Sequence, residues 1–113
     1  MKYMMFVCTD PSIELGAEEA AAIGPAAQAW VREMEARGVR LLGNEIGPVR
    51  DATTVRLRAG EVLVADGPFA ETKEQIAGFD ILECADLDEA IEVASKHPVA
   101  KYGTLELRPF AEA

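Results

Sequence analysis

Tyr3-Met4-Met5-Phe6-Val7-Cys8, residues 3–8, is an apolar run with no polar side. Successive side chains of a strand point to opposite faces, so such a run is dry on both. Asp10-Pro11 then turns the chain. A strand of this kind belongs in the middle of a sheet with something packed over each face, and the rest of the sequence has to supply both covers.

Outward from that strand, Glu18 to Arg37 reads as a helix. Ile23, Ala27, Trp30 and Met34 fall on one stripe at the 3.6-residue period. Pro25 marks a candidate first turn, and Gly38 the stop. Val39 to Leu42 is a short strand, closed by Gly43-Asn44 and Gly47-Pro48. Thr53 to Arg58 and Glu61 to Ala65 form a hairpin about Ala59-Gly60. It runs into the polar stretch that opens Asp66-Gly67-Pro68-Phe69. Ile76 to Cys84 is a strand with Phe79, Ile81 and Glu83 on one face and Asp80, Leu82 and Cys84 on the other. Asp86 caps a second helix, Leu87 to Lys96, with a stripe of Leu87, Ala90, Ile91 and Ala94. His97-Pro98 ends it, and Thr104 to Arg108 is the last strand.

The order is β-α-β, hairpin, β-α-β, in one domain spanning residues 1–113. Two such halves make an α+β ferredoxin-like sandwich with an added β-hairpin. Both helices cover one sheet face. The other face stays apolar, and a second copy packing about a two-fold axis is the simplest cover. The expected interface uses either Met4, Phe6 and Cys8 or Tyr3, Met5 and Val7.

The formal charge of −9 repels nucleic acid and acidic lipid, so neither is expected as a partner. No apolar run approaches the length of a membrane span. The short apolar opening lacks the form of a signal peptide, which points to a cytoplasmic protein. Cys8, Cys84 and His97 lack metal-ligand spacing, so no metal or cofactor is expected.

Asp66 is the first candidate for chemistry. Gly67-Pro68 would fix its direction at a strand end, where a carboxylate serves as general base or ligand anchor. The alternative is that Asp66 accepts hydrogen bonds from its own turn. His97 is the second candidate, as the one side chain that titrates near neutrality unperturbed. Its alternative role is a cation favoured at a helix C-terminus. The expected ligand cleft lies between helices and sheet. The loop there supplies Asp66, Gly67, Pro68, Phe69, Lys73 and Glu74, joined by Arg108, and Trp30 or Met34 supplies an apolar wall.

The run Asp66-Gly67-Pro68-Phe69-Ala70-Glu71-Thr72-Lys73-Glu74-Gln75, followed by Gly78-Phe79, resembles the signature of DGPF-type proteins of the YCII-related family. Met1-Lys2-Tyr3-Met4, Asp88-Glu89-Ala90 and Glu106-Leu107-Arg108-Pro109 resemble it too. The resemblance implies a dimeric ferredoxin-like α/β barrel of unsettled activity. It further implies a bacterial, sigma-factor-linked regulatory setting, and, since Asp66 has no obvious acid/base partner in the sequence, a small-molecule-binding or accessory homodimer is expected there. Some short members of the wider family, a dehalogenating hydrolase among them, use a first-helix His with an Asp near mid-chain. Asp66 fits the Asp role, but Ala27 stands at the helix position and has no proton to move. Whether the chain is an enzyme therefore stays open, with acid/base chemistry of a hydrolase or isomerase type centred on Asp66 as the alternative.

Overall fold

The computed structural model describes residues 1–112. The chain runs β1 (Lys2–Thr9), α1 (Ala17–Ala36), β2 (Arg40–Glu45), β3 (Thr53–Arg58), β4 (Glu61–Asp66), β5 (Gln75–Glu83), α2 (Leu87–Ser95) and β6 (Thr104–Pro109), with 3-10 turns at Val49–Asp51 and Pro98–Lys101. Four strands form an antiparallel sheet in the order β2-β5-β1-β6, and β3-β4 is a separate two-stranded ribbon. This is the ferredoxin-like arrangement, with the ribbon inserted between β2 and β5.

β1 lies at the sheet's centre, as its two-sided apolar pattern requires. Tyr3, Met5 and Val7 are buried beneath the helices, while Met4, Phe6 and Cys8 alternate onto the opposite face and are only half-buried. The core on the helix side joins Tyr3, Met5, Trp30, Met34, Leu82 and Val93.

α2 opens with a reciprocal cap. Asp86 accepts from the Glu89 N–H at 2.9 Å, and Glu89 accepts from the Ala85 N–H at 2.8 Å. The ribbon turns on Ala59 and Gly60, both at positive φ (50° and 78°). That is the tight hairpin turn whose twist matches its strands.

Three local expectations are corrected. Pro25 does not start α1 but lies inside it, eight residues after Ala17. The run Ala17-Glu18-Glu19-Ala20-Ala21-Ala22 is strongly helix-forming and places two acids at the positive end of the dipole, which offsets one lost hydrogen bond. Gly43-Asn44 does not close β2 but continues it. Leu87 and Ile91 are exposed, and the buried face of α2 is Ala90, Val93 and Ala94. Stripes one residue apart differ by a rotation of 100°, and the small Ala90 and Ala94 let the helix settle against the sheet on that side.

Candidate functional site

Two hollows lie on opposite faces of the four-stranded sheet. The first, about 440 Å³, sits between α1 and the sheet. Val7, Ile23, Ala27, Val31 and Val99 supply its apolar walls, and Thr9, Arg40, Asn44, Glu45, Asp80 and His97 its polar groups.

Arg40 is placed by the end of α1. Gly38, at φ 73°, turns the chain out of the helix, and the Val39 N–H closes on the Met34 carbonyl at 3.0 Å. Arg40 then begins β2 on the helix-facing side. Its Nε donates to Asp80 Oδ1 at 2.7 Å and an Nη donates to Glu35 at 2.6 Å. Asp80 shares its face of β5 with Leu82 and is 5% exposed. Burial raises its carboxyl above the ordinary value, and the Arg40 guanidinium pulls against that rise. Gly43, the residue opposite Asp80, makes room for this pair. A Cβ there would collide with Asp80 Oδ1, the Phe79 carbonyl and the Arg40 guanidinium.

His97 is placed by Pro98, which holds it in extended backbone ahead of a 3-10 turn. Its Nδ1 accepts the Val99 N–H at 3.1 Å. An accepting Nδ1 fixes the neutral tautomer with its proton on Nε2. Burial pushes its pKa down to about 4, so the ring is uncharged at neutral pH. The expectation of a helix-terminal cation is thereby corrected. Trp30 stands edge-on to the imidazole, centroids 4.9 Å apart, and is itself fixed by its Nε1–H to the Val93 carbonyl at 2.9 Å.

His97 Nε2 and Asp80 Oδ2 have no protein partner among the described residues, yet no buried side-chain nitrogen or oxygen lacks one. Both atoms therefore keep accessible surface, on residues that line the cavity. It offers the neutral His97 donor and the Asp80 carboxylate beside apolar walls, with Thr9, Asn44 and Glu45 also on its lining.

The second hollow is a groove of about 870 Å³ on the open face, lined by Phe6, Cys8, Pro68, Phe69, Glu74 and Arg108, among others. Arg108 lies 5.7 Å from the Phe6 ring centroid and pairs with Glu106 at 2.6 Å. Burial, then Glu106 and Glu74, push the Cys8 thiol up.

The structure thus divides the residues that sequence reasoning gathered into one cleft. Pro68, Phe69, Glu74 and Arg108 line the open-face groove, and His97 lines the helix-side cavity. Trp30, 3% exposed, backs His97 and lines neither, and Met34 is wholly buried. Asp66, Gly67 and Lys73 also line neither; Lys73 reaches Asp10 at 3.8 Å. Asp66 is exposed, and its carboxylate makes no hydrogen bond or ion pair among the described residues. The turn is held instead by Thr54 Oγ1 donating to the Gly67 carbonyl and Gly67 N–H donating to Ala52, both at 2.7 Å. Asp80 and Arg40 were missed. The available signal was a lone carboxylate on a strand face otherwise occupied by Leu82 and Cys84.

The family model of the YCII-related domain matches residues 1–112. An uncharacterized protein of Rhizobium meliloti (strain 1021) is 41% identical, over 74% of this chain and 81% of that one. Among solved structures, a 5-chloro-2-hydroxyhydroquinone dehydrochlorinase from Burkholderia phenoliruptrix AC1100, in complex with 2,5-dihydroxybenzoquinone, superposes with a TM-score of 0.55. That match covers 100% of this chain and 96% of the other at 14% identity, a likeness of fold.

Proposed function

This chain belongs to the YCII-related domain family, and from that premise we propose that it is a small-molecule-binding homodimer whose ligand sits between α1 and the sheet. The observation that carries this reading is that His97, with Nε2 unpartnered, and Asp80, with Oδ2 unpartnered, line one partly apolar cavity of ligand size. A compact, uncharged ring compound bearing a carbonyl and a hydroxyl complements it, the carbonyl accepting from His97 and the hydroxyl donating to Asp80. The net charge of −9 disfavours anions.

Binding without turnover is favoured by the state of His97. Its one lone pair is engaged by Val99 N–H, and its pKa of about 4 keeps it from carrying a second proton at neutral pH. It is therefore a fixed donor, neither base nor acid. Ala27 lines the same cavity and adds no proton carrier. In the sigma-factor-linked setting that the resemblance implies, such a protein would report a ligand and not consume it. The enzymatic alternative now rests on Asp80 and not on Asp66. A buried carboxylate with a raised pKa is a competent base, and a neutral imidazole donor stabilises developing oxyanion charge.

The test is thermal shift with the neutral compounds hydroxycyclohexanone and hydroquinone, with 2,5-dihydroxybenzoquinone, an anion at neutral pH, as the charged comparison, followed by product analysis. Saturable stabilisation by at least one compound, lost in Ala27→Phe and unaccompanied by turnover, is the expected result. Stabilisation that survives Ala27→Phe would move the site elsewhere. Turnover abolished by Asp80→Asn would replace binding with catalysis.

The homodimer is formed, on this reading, through Met4, Phe6 and Cys8, the alternate set from β1 that the helices leave uncovered. Sedimentation at micromolar concentration that finds only a 12 kDa species would contradict it.

A further inference from the structure

The β3–β4 ribbon extends away from the body, and its strands pack against little except each other. Cross-strand register places Val55 opposite Val64 and Leu57 opposite Val62 on one face of it. These four side chains are 63%, 64%, 64% and 67% exposed. A two-stranded hairpin alone in water is marginal at best, and a bare face of Val and Leu is an invitation to association. Neither the groove nor the helix-side cavity uses any of the four.

We propose that β3–β4 is an arm whose Val55, Leu57, Val62 and Val64 face is buried against a second copy of this chain. The inference rests on the homodimer reading and extends it beyond the β1 face. The molecule's dimensions supply the reason for choosing a second copy. The isolated chain measures 48 × 43 × 18 Å with a radius of gyration of 16.1 Å, against about 13 Å for a compact domain of this length. It exposes 7830 Å², where a folded monomer of this mass exposes about 6,100 Å². The excess, about 1,700 Å² per chain, is the size of one side of an obligate dimer interface.

Charge permits the same pairing. Residues 53–66 carry Arg56, Arg58, Glu61 and Asp66 and so have no net charge. On the open sheet face, Lys2 sits 3.9 Å from Glu83 and Arg108 pairs with Glu106. Two chains of charge −9 can thus meet arm to sheet without bringing their excess acids together. In an isologous contact, each arm reaches across the two-fold axis and closes the open side of its partner's groove. The large groove of the single chain is then an interface, and ligand binding belongs to the other face of the sheet.

The test is analytical ultracentrifugation of the full chain from nanomolar to micromolar concentration. The variants are Leu57→Lys/Val64→Lys on the proposed contact face and Leu63→Lys on the reverse face. Wild type is expected to dimerise, the double variant to dissociate at least 100-fold more readily, and Leu63→Lys to stay within about threefold of wild type. Hydrogen exchange of amides 55–64 in wild type gives a second reading free of any folding defect. Their protection should fall on dilution. A wild-type dimer whose affinity is unchanged by the double variant overturns the arm alone. A wild-type monomer throughout overturns the homodimer reading and the arm with it.

Discussion

At the scale of single residues, His97 carries the sharpest consequence. Its folded pKa of about 4 lies below the ordinary 6.5. The folded state thus binds fewer protons than the unfolded state between those values, and stability rises with pH across them. The contribution is fully present above pH 6.5 and is lost as pH falls toward 4. The shift corresponds to about 3 kcal/mol. His97 is the only histidine, so its ring protons give one unambiguous NMR titration, expected near pH 4. A midpoint near 6.5 would show the ring to be solvated. The stability difference between wild type and His97→Gln should shrink as pH falls from 6.5 to 4; a constant difference would deny the linkage. Asp66 provides the contrasting case. Read alone, Asp66-Gly67-Pro68 looked like a carboxylate anchoring its turn, because Asp before Gly so often does that. The structure gives the anchoring to Thr54, thirteen residues before the Gly67 carbonyl it bonds and legible only once the ribbon pairs. Asp66→Ala should therefore change stability by less than about 0.5 kcal/mol, and Thr54→Val should cost about 1 kcal/mol. Chemical denaturation that reversed the order of the two would contradict this account of the loop.

At the scale of elements, patterning was readable where one periodicity dominated. β1, the hairpin with its Ala59-Gly60 turn, β5 and the Asp86 cap all follow from local chemistry that nothing distant overrides. The misreadings came from Gly and Pro taken as punctuation. Pro25 sits in a helix that eight preceding positions of mostly Ala and Glu had already begun. Gly43 sits within β2 because Arg40 and Asp80 need its missing side chain, a tertiary reason that no window of sequence displays. The same reason hid the site. The pair that defines it, Arg40 and Asp80, is forty residues apart and joined only by the pairing of β2 with β5. Gly43→Ala should cost about 1–3 kcal/mol, since a main-chain carbonyl cannot move aside. It should also weaken any ligand held at Asp80. A fully stable Gly43→Ala variant would mean that β2 shifts freely, which its register with β5 opposes.

At the scale of the whole molecule, the sheet separates two surfaces of different character. Its helix side holds a small cavity lined by His97, Asp80, Arg40 and apolar side chains, and its open side offers apolar surface with an arm beside it. That the open side is apolar was readable in residues 3–8, because both faces of that strand are apolar. The division of the candidate residues between the two faces was not, since it depends on which face each distant loop joins: residues 68–76 fold over the open face, while His97 returns beneath α1. The central claim is that ligand and partner occupy opposite faces, and Met4 and His97 report on them separately. NMR of the Met4 methyl and the His97 ring can follow both during titration with hydroxycyclohexanone or hydroquinone and during dilution. The account predicts a saturable shift at His97 with Met4 unmoved on titration, and a shift at Met4 with His97 unmoved on dilution. A bound probe that shifts Met4 and leaves His97 untouched would contradict it.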